Sequence, residues 1–149
     1  MAKFVYKMQN ILDIKMKLEN QAKIAYGQAN AKLMEEQQKL RRILVRKAEY
    51  EERARELVSG TICVMDIKEN KRAIDTIKSM LRQQLLEVQI AERNVETARA
   101  RLNEVMKERK THEKLREHAL EAFKQELEYE ESKAVDELVS YTYHAGEEE

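Results

Sequence analysis

Proline and tryptophan are absent from this 149-residue chain, which has only three glycines and one cysteine. Without proline, no position loses its backbone donor or forces a kink, so nothing stops a helix from running for many turns. Aromatic residues are 5% of the chain, too few to fill the core of a sheet protein, where aromatics are favoured. The lone Cys63 excludes an internal disulfide and suits a reducing cytoplasm. An excess of either charge is missing too, since 28 basic and 28 acidic side chains cancel. Nucleic-acid binders carry a basic excess, and this chain has none. No stretch approaches the ~20 apolar residues of a membrane span. The opening Met1-Ala2-Lys3-Phe4 leads straight into a charged pattern, without the apolar run of a signal peptide. The expected location is cytoplasmic, with any membrane contact peripheral.

What the chain has is helix formers and charge. Charged residues make up 38%, so a wide core is out of reach and a narrow apolar seam is what the composition supplies. Phe4, Met8, Ile11, Leu18, Ala22, Ala25 and Ala29 are separated by sums of three and four, the step of a coiled-coil seam. The stripe continues at Leu33, Leu40, Leu44, Ala48, Ala54 and Val58. There the spacing loosens toward an eleven-residue rhythm and predicts a local straightening of the supercoil. Lys15 interrupts the stripe, and Gly27 weakens the helix without breaking it. Ser59-Gly60 is a stop signal, because glycine tolerates the left-handed conformation that ends helices. Asp66, with Glu69 three residues on, predicts a capped restart. The connector between them, 59–65, is apolar at Ile62, Cys63, Val64 and Met65, and is expected to tuck against the hairpin end.

In the second half, Ile74, Ile77, Leu81, Val88, Ala91, Val95, Ala98, Leu102 and Val105 keep heptad spacing. Arg109 and His112 then fall on seam positions, and Ala119, Leu120, Phe123, Leu127, Ala134, Leu138 and Tyr141 resume the stripe in a shifted phase. A short connector forces the helices antiparallel. With the turn centred near residue 62, facing residue numbers add to about 124, which sets Leu18 against Met106, Leu33 against Ala91, Leu44 against Leu81 and Phe4 against Leu120. Residues 1–58 carry 13 basic and 8 acidic side chains and residues 59–149 carry 15 and 20, so opposite net charges face across the seam. The expected fold is all-α, a long antiparallel two-helix coiled-coil hairpin with a C-terminal helical overhang. It forms one domain over 1–149: helix 1 at about 3–58, helix 2 at about 66–142 and a frayed acidic tail at 143–149. The overhang begins past Ala122 and is acidic, with ten acidic and two basic side chains in 121–149. In this register Phe123 and Leu127 have no internal partner, so an aspartate at either is expected to leave the hairpin folded. An unpartnered apolar stripe marks a binding surface.

No catalytic constellation emerges. His112 and His118 lie on different helix faces, and His144 falls in the tail. No glycine-rich loop cradles a phosphate. Cys63 reads as a small apolar filler. The glutamates read as a solvated face, with Glu104–Glu108 and Glu113–Glu117 repelling one turn apart, and no pocket is in view to shift their pKa values. The expectation is a non-enzymatic protein with no cofactor, no metal and no small-molecule substrate. Arg109 and His112 read first as a hydrated, weakened layer that sets register, and second as a point where the helices part or a partner intrudes. Tyr50 lies near the turn within 39–85, a stretch with twelve basic and seven acidic side chains. It is either a flank residue or an aromatic anchor on a basic platform, the kind that dominates interfaces.

Several segments resemble the FliJ family of flagellar export proteins. Phe4-Val5-Tyr6-Lys7-Met8-Gln9-Asn10-Ile11-Leu12, followed by Lys15 and Glu19, is similar to that family's N-terminal pattern. Ala48-Glu49-Tyr50 is similar to its mid-helix Glu-Tyr step. Lys114-Leu115-Arg116-Glu117, with Phe123, Glu126, Glu131-Ser132-Lys133 and Asp136-Glu137, is similar to its C-terminal signature. The similarity covers essentially the whole chain. It departs early in helix 2, where the family often has an aromatic pair and this chain has Asn70 and Ala73.

The resemblance implies a component of bacterial flagellum assembly and type III export, hence of motility and chemotaxis, similar to the central stalk of rotary ATPases. The implied partners are the hexameric flagellar export ATPase, the cytoplasmic domain of the export gate at the cell membrane, and export chaperones. On this basis Phe4, Ile11, Leu120, Phe123 and Leu127 are the candidate contacts with the ATPase, and Arg46, Tyr50 and Arg53 those with the gate. The other readings are a generic coiled-coil scaffold or homodimer, and the stalk protein of an injectisome.

Overall fold

A computed structural model describes residues 2–147, and among these the protein is all-helical: α1 spans Gln9–Leu57 and α2 spans Val64–Glu147, packed against each other as a hairpin. Packing divides the molecule into two units, each with a stretch of both helices. The terminal unit comprises Met1–Glu19 and Glu104–Glu149, and the turn-bearing unit comprises Asn20–Asn103.

The helix boundaries correct the expected ones. Helix 1 begins at Gln9 and not near residue 3. Phe4 and Tyr6 are half-buried while Lys3, Val5 and Lys7 are exposed, the alternation of extended chain. A helix would point those two rings to opposite sides. Helix 2 begins at Val64 and not at Asp66. The first amide bond runs from Ile67 N to Cys63 O, 3.2 Å, so Cys63 stands at the cap. Asp66 lies within the first turn, where its charge still meets the positive end of the helix dipole. At the other end α2 continues through the expected frayed tail to Glu147, and 148–149 lie outside the described residues.

Between the helices, the Ser59 amide and hydroxyl both donate to Glu56 O, at 3.2 and 2.9 Å. Gly60 has φ +80°, the left-handed conformation that the sequence anticipated. The expected tucking does not occur: Val58, Ile62, Cys63, Val64 and Met65 are all exposed. The seam is already filled by the helices, and so short a link has no slack to fold back onto them.

The seam itself runs differently in α1. Besides Gln9, Leu18, Asn30 and Gln37 at its margins, its sheltered positions are Leu12, Lys15, Glu19, Ala22, Tyr26, Ala29, Leu33, Glu36, Leu40, Ile43, Lys47, Tyr50, Ala54 and Leu57. That is an uninterrupted alternation of three and four, so the expected loosening to an eleven-residue rhythm is absent. Ile11, Ala25, Leu44, Ala48 and Val58 are exposed instead. Polar residues hold the phase because their aliphatic stems and rings pack while their heads find partners. In α2 the same alternation runs from Ile67 to Phe123 through Asn70, Gln84, Arg109, His112 and Arg116. No phase shift follows His112.

Cross-helix pairs report the register within each unit. In the turn-bearing unit, Tyr50–Asn70 and Glu36–Gln84 add to 120 and Tyr26–Arg99 to 125. In the terminal unit, Lys15–Glu108 add to 123, Gln9–Arg116 to 125, Phe4–Phe123 to 127 and Glu19–Arg109 to 128. The expected 124 lies within both ranges. Buried polar contacts fix it. Gln84 Nε2 donates to Glu36 Oε2 at 2.6 Å and to Glu36 O at 2.9 Å. Glu36 is only 4% exposed. The Gln84 bond, then Lys32 and Lys39, hold its carboxyl down at about 2. A leucine pair slips by one heptad at little cost, whereas this pair would leave buried groups unsatisfied.

Candidate functional site

The terminal unit begins with the extended segment, which lays Phe4 against α2. The Phe4 and Phe123 rings are 5.4 Å apart and tilted by 52°, and the Arg116 guanidinium lies 5.7 Å from the centre of the Phe4 ring. Such geometry suits both ring pairing and cation–π attraction. Arg116 Nε also donates to Gln9 Oε1, 3.0 Å. Leu120 and Leu127 are half-buried here and Ile11 is exposed. The candidate ATPase contacts are therefore split: four are partly covered by their own unit and Ile11 faces outward. Phe123 has an internal partner, contrary to expectation, so an aspartate there disrupts this packing. The register expected from sequence set Phe4 against Leu120, while the extended segment carries it to Phe123.

One step further in lies a charged cluster. Arg109 Nε and Nη2 donate to the two carboxylate oxygens of Glu19, at 2.5 and 3.3 Å, and Nη1 donates to Glu113 at 2.7 Å. Glu19 is buried. The Glu19 bond is the main cause that raises the Arg109 pKa above its ordinary value. Lys15 Nζ reaches Glu108 at 2.9 Å. The layer expected to be hydrated and weak is thus directly ion-paired at Arg109. Glu108 and Glu113, expected to repel their neighbours, each meet a cation. Nδ1 of His112 is buried without a hydrogen-bond partner.

Beyond Leu127 the helix continues and its cover ends. Every residue of 128–147 is exposed, so the overhang begins at residue 128 and not at Ala122. Its large apolar side chains include Val135, Leu138, Val139 and Tyr141, the last two 61% and 75% exposed. Val135, Leu138, Val139 and Thr142 follow the spacing i, i+3, i+4, i+7, one face of a helix. The segment carries six acidic residues and one lysine.

In the turn-bearing unit, Arg46 and Arg53 are exposed and Tyr50 is half-buried. Tyr50 O accepts from Asn70 Nδ2 at 3.1 Å. Tyr50, Arg53, Asp66, Glu69, Asn70 and Ala73 line a depression of about 240 Å³. The candidate gate residues thus share their surface with two carboxylates, and the platform is less purely basic than the count over 39–85 suggested. The sequence reading missed a second groove of about 250 Å³, floored by Ala54, Leu57, Val58, Ile67 and Ile74 and edged by Asn70, Lys71, Asp75 and Lys78. Cys63, read as filler, is exposed.

Among the described residues, no group of three or more His, Cys, Asp or Glu side chains could hold a metal ion. No described helix is long and apolar enough to cross a membrane. What the molecule offers is surface: an acidic helix extension in one unit and an apolar, basic-edged turn region in the other. The family model described as flagellar FliJ protein matches residues 4–148. Among solved structures, a candidate YscO homologue from Chlamydia trachomatis has a similar fold, with 24% identity, 99% of each chain covered and a TM-score of 0.56. No curated protein matches the sequence.

Proposed function

This chain belongs to the flagellar FliJ protein family, and on that premise we propose that it is a non-enzymatic, stalk-like component of flagellar protein export that binds the export ATPase hexamer and the export gate. The observation that carries the reading is the helix extension 128–147, fully exposed, apolar along one face and acidic elsewhere. Its stripe needs cover from outside its own unit. In this reading the extension, together with Ile11 and the Phe4–Phe123 cluster, enters the pore of the ATPase ring. A helical pair has no sixfold symmetry, so it contacts the subunits unequally and can favour different states in each. Tyr50, Arg46 and Arg53 serve the gate, and export chaperones are further partners. The working location is the cytoplasmic face of the cell membrane.

The test uses two variants and two partners. Leu138→Asp should abolish stimulation of the export ATPase without loss of helicity, since Leu138 is 65% exposed. Tyr50→Ala should weaken binding to the gate's cytoplasmic domain by about 1–2 kcal/mol, a hot-spot effect, and leave ATPase stimulation intact. Normal stimulation by Leu138→Asp would remove the extension from the ring, and unchanged gate affinity would remove Tyr50 from that interface.

A further inference from the structure

Two exposed apolar surfaces on this chain carry opposite charge. Residues 39–85, around the turn, hold twelve basic and seven acidic side chains. Residues 128–147 hold six acidic and one basic. The imbalances are +5 and −5. Each surface also has the shape the other lacks. The turn region has an apolar-floored groove with Lys71 and Lys78 on its edge against the single carboxylate of Asp75. The extension is a lone helix whose apolar face, Val135, Leu138 and Val139, is continued one turn earlier by Glu131 and bordered by Asp136. An amphipathic helix laid into an apolar groove is a recurrent recognition mode, and the anchors follow its i, i+3, i+4 spacing.

We propose that the acidic helix extension of one copy docks in the basic-edged groove at the turn of a second copy, giving a head-to-tail self-association. A second copy fits better than two extensions pairing with each other, because each extension carries the same negative excess and like charges repel. The contact is heterologous: each molecule donates an extension and accepts one. Such contacts grow into chains unless they close on themselves. The association occupies the extension assigned above to the ATPase, so a copy whose extension is docked is held out of the ring. This inference goes beyond the export reading and does not require it, since the contact involves this chain alone.

Sedimentation velocity of the full chain tests it across low to high micromolar concentration. The wild type should associate as concentration rises, and the association should weaken at least tenfold when salt goes from about 0.05 M to about 0.5 M, as charge contacts are screened. The double variant Lys71→Glu/Lys78→Glu breaks the groove edge, and Leu138→Asp breaks the extension. All three residues are exposed, and circular dichroism checks that helicity is kept. If the double variant loses helicity, Lys71→Gln/Lys78→Gln replaces it. Each variant alone should stay monomeric. Mixed in equal amounts they should form a one-to-one complex, because one retains a sound extension and the other a sound groove. A wild type that stays monomeric at low salt overturns the proposal. So does a mixture that stays monomeric, or self-association lost in the extension variant alone, which would be pairing between extensions. Loss of this association in the groove variant, with its ATPase stimulation intact, supports the contact and leaves the export reading standing.

Discussion

Glu36 occupies a seam position where a leucine would ordinarily pack, and it stays there because Gln84, Lys32 and Lys39 meet it. Its carboxyl is held at about 2, below the ordinary 4.5. The folded form therefore binds fewer protons than the unfolded form between those values. The stability this confers is complete above about 4.5 and is lost as the pH falls toward about 2. Glu36→Gln should flatten that part of the acid limb when urea midpoints are compared near pH 7, about 4.5 and about 2.5. An unchanged loss on acidification would assign the limb to other carboxylates. In the sequence Glu36 reads as one more solvated glutamate. Its partner lies 48 residues away, and only the register brings the two together. The same blindness applies to Glu19 and Arg109. A signal was nevertheless present: Lys15, Ala22, Ala29, Glu36, Ile43, Tyr50 and Leu57 recur every seven residues, a line invisible to a search that counts apolar residues alone.

At the scale of elements, α2 was legible and the start of α1 was not. The expected seam of α2 from Ile74 to Val105 is sheltered at every position, because its β-branched residues and leucines hold the heptad even though Met80, Leu85, Leu86 and Ile90 lie off it. In α1, alanines and leucines also sit beside the seam, so the apolar pattern drifted onto Ile11, Ala25 and Leu44. The extended segment escaped notice because two aromatics two apart give too short an alternation to outweigh a long helical pattern. Two glycines separate the forces that shape α1 and the turn. Gly27 and Gly60 both have open space where a Cβ would go, so conformation alone decides. Gly27→Ala should stabilise by about 1 kcal/mol, the difference in helix propensity. Gly60→Ala should destabilise by about 1–2 kcal/mol, the strain of a left-handed alanine. Thermal or urea unfolding of both variants reads the two signs, and a stabilising Gly60→Ala would mean that the turn relaxes to another conformation.

For the whole molecule, the antiparallel pairing, the register near 124 and the exposed extension were readable from seam, turn and chain length together. Which copies or partners cover the extension was not, since surface complementarity needs coordinates for both surfaces. Residues 128–147 are all exposed, and local opening is easiest where burial is least. Hydrogen exchange should therefore be fastest in this segment among the helical residues and slowest around Ile77, Ala91 and Val105. Adding the export ATPase should slow exchange in 128–147 and leave the core unchanged. Protection of 128–147 equal to that of the core in the isolated protein at low concentration would contradict the exposure described.

The unbroken three-four seam limits how a chain of this kind can change length. Adding or removing one residue in either helix turns all that follows off the seam by about 100° and strands Glu36, Glu19 and their partners. Seven residues removed from one helix alone preserve the faces but slide the register by a full heptad, which separates Glu36 from Gln84. Only seven from each helix, taken at facing positions, leave every polar pair with its partner. Indels within the paired stretch therefore come in matched blocks, fourteen residues in all, whereas the uncovered 128–147 can change length without disturbing the seam.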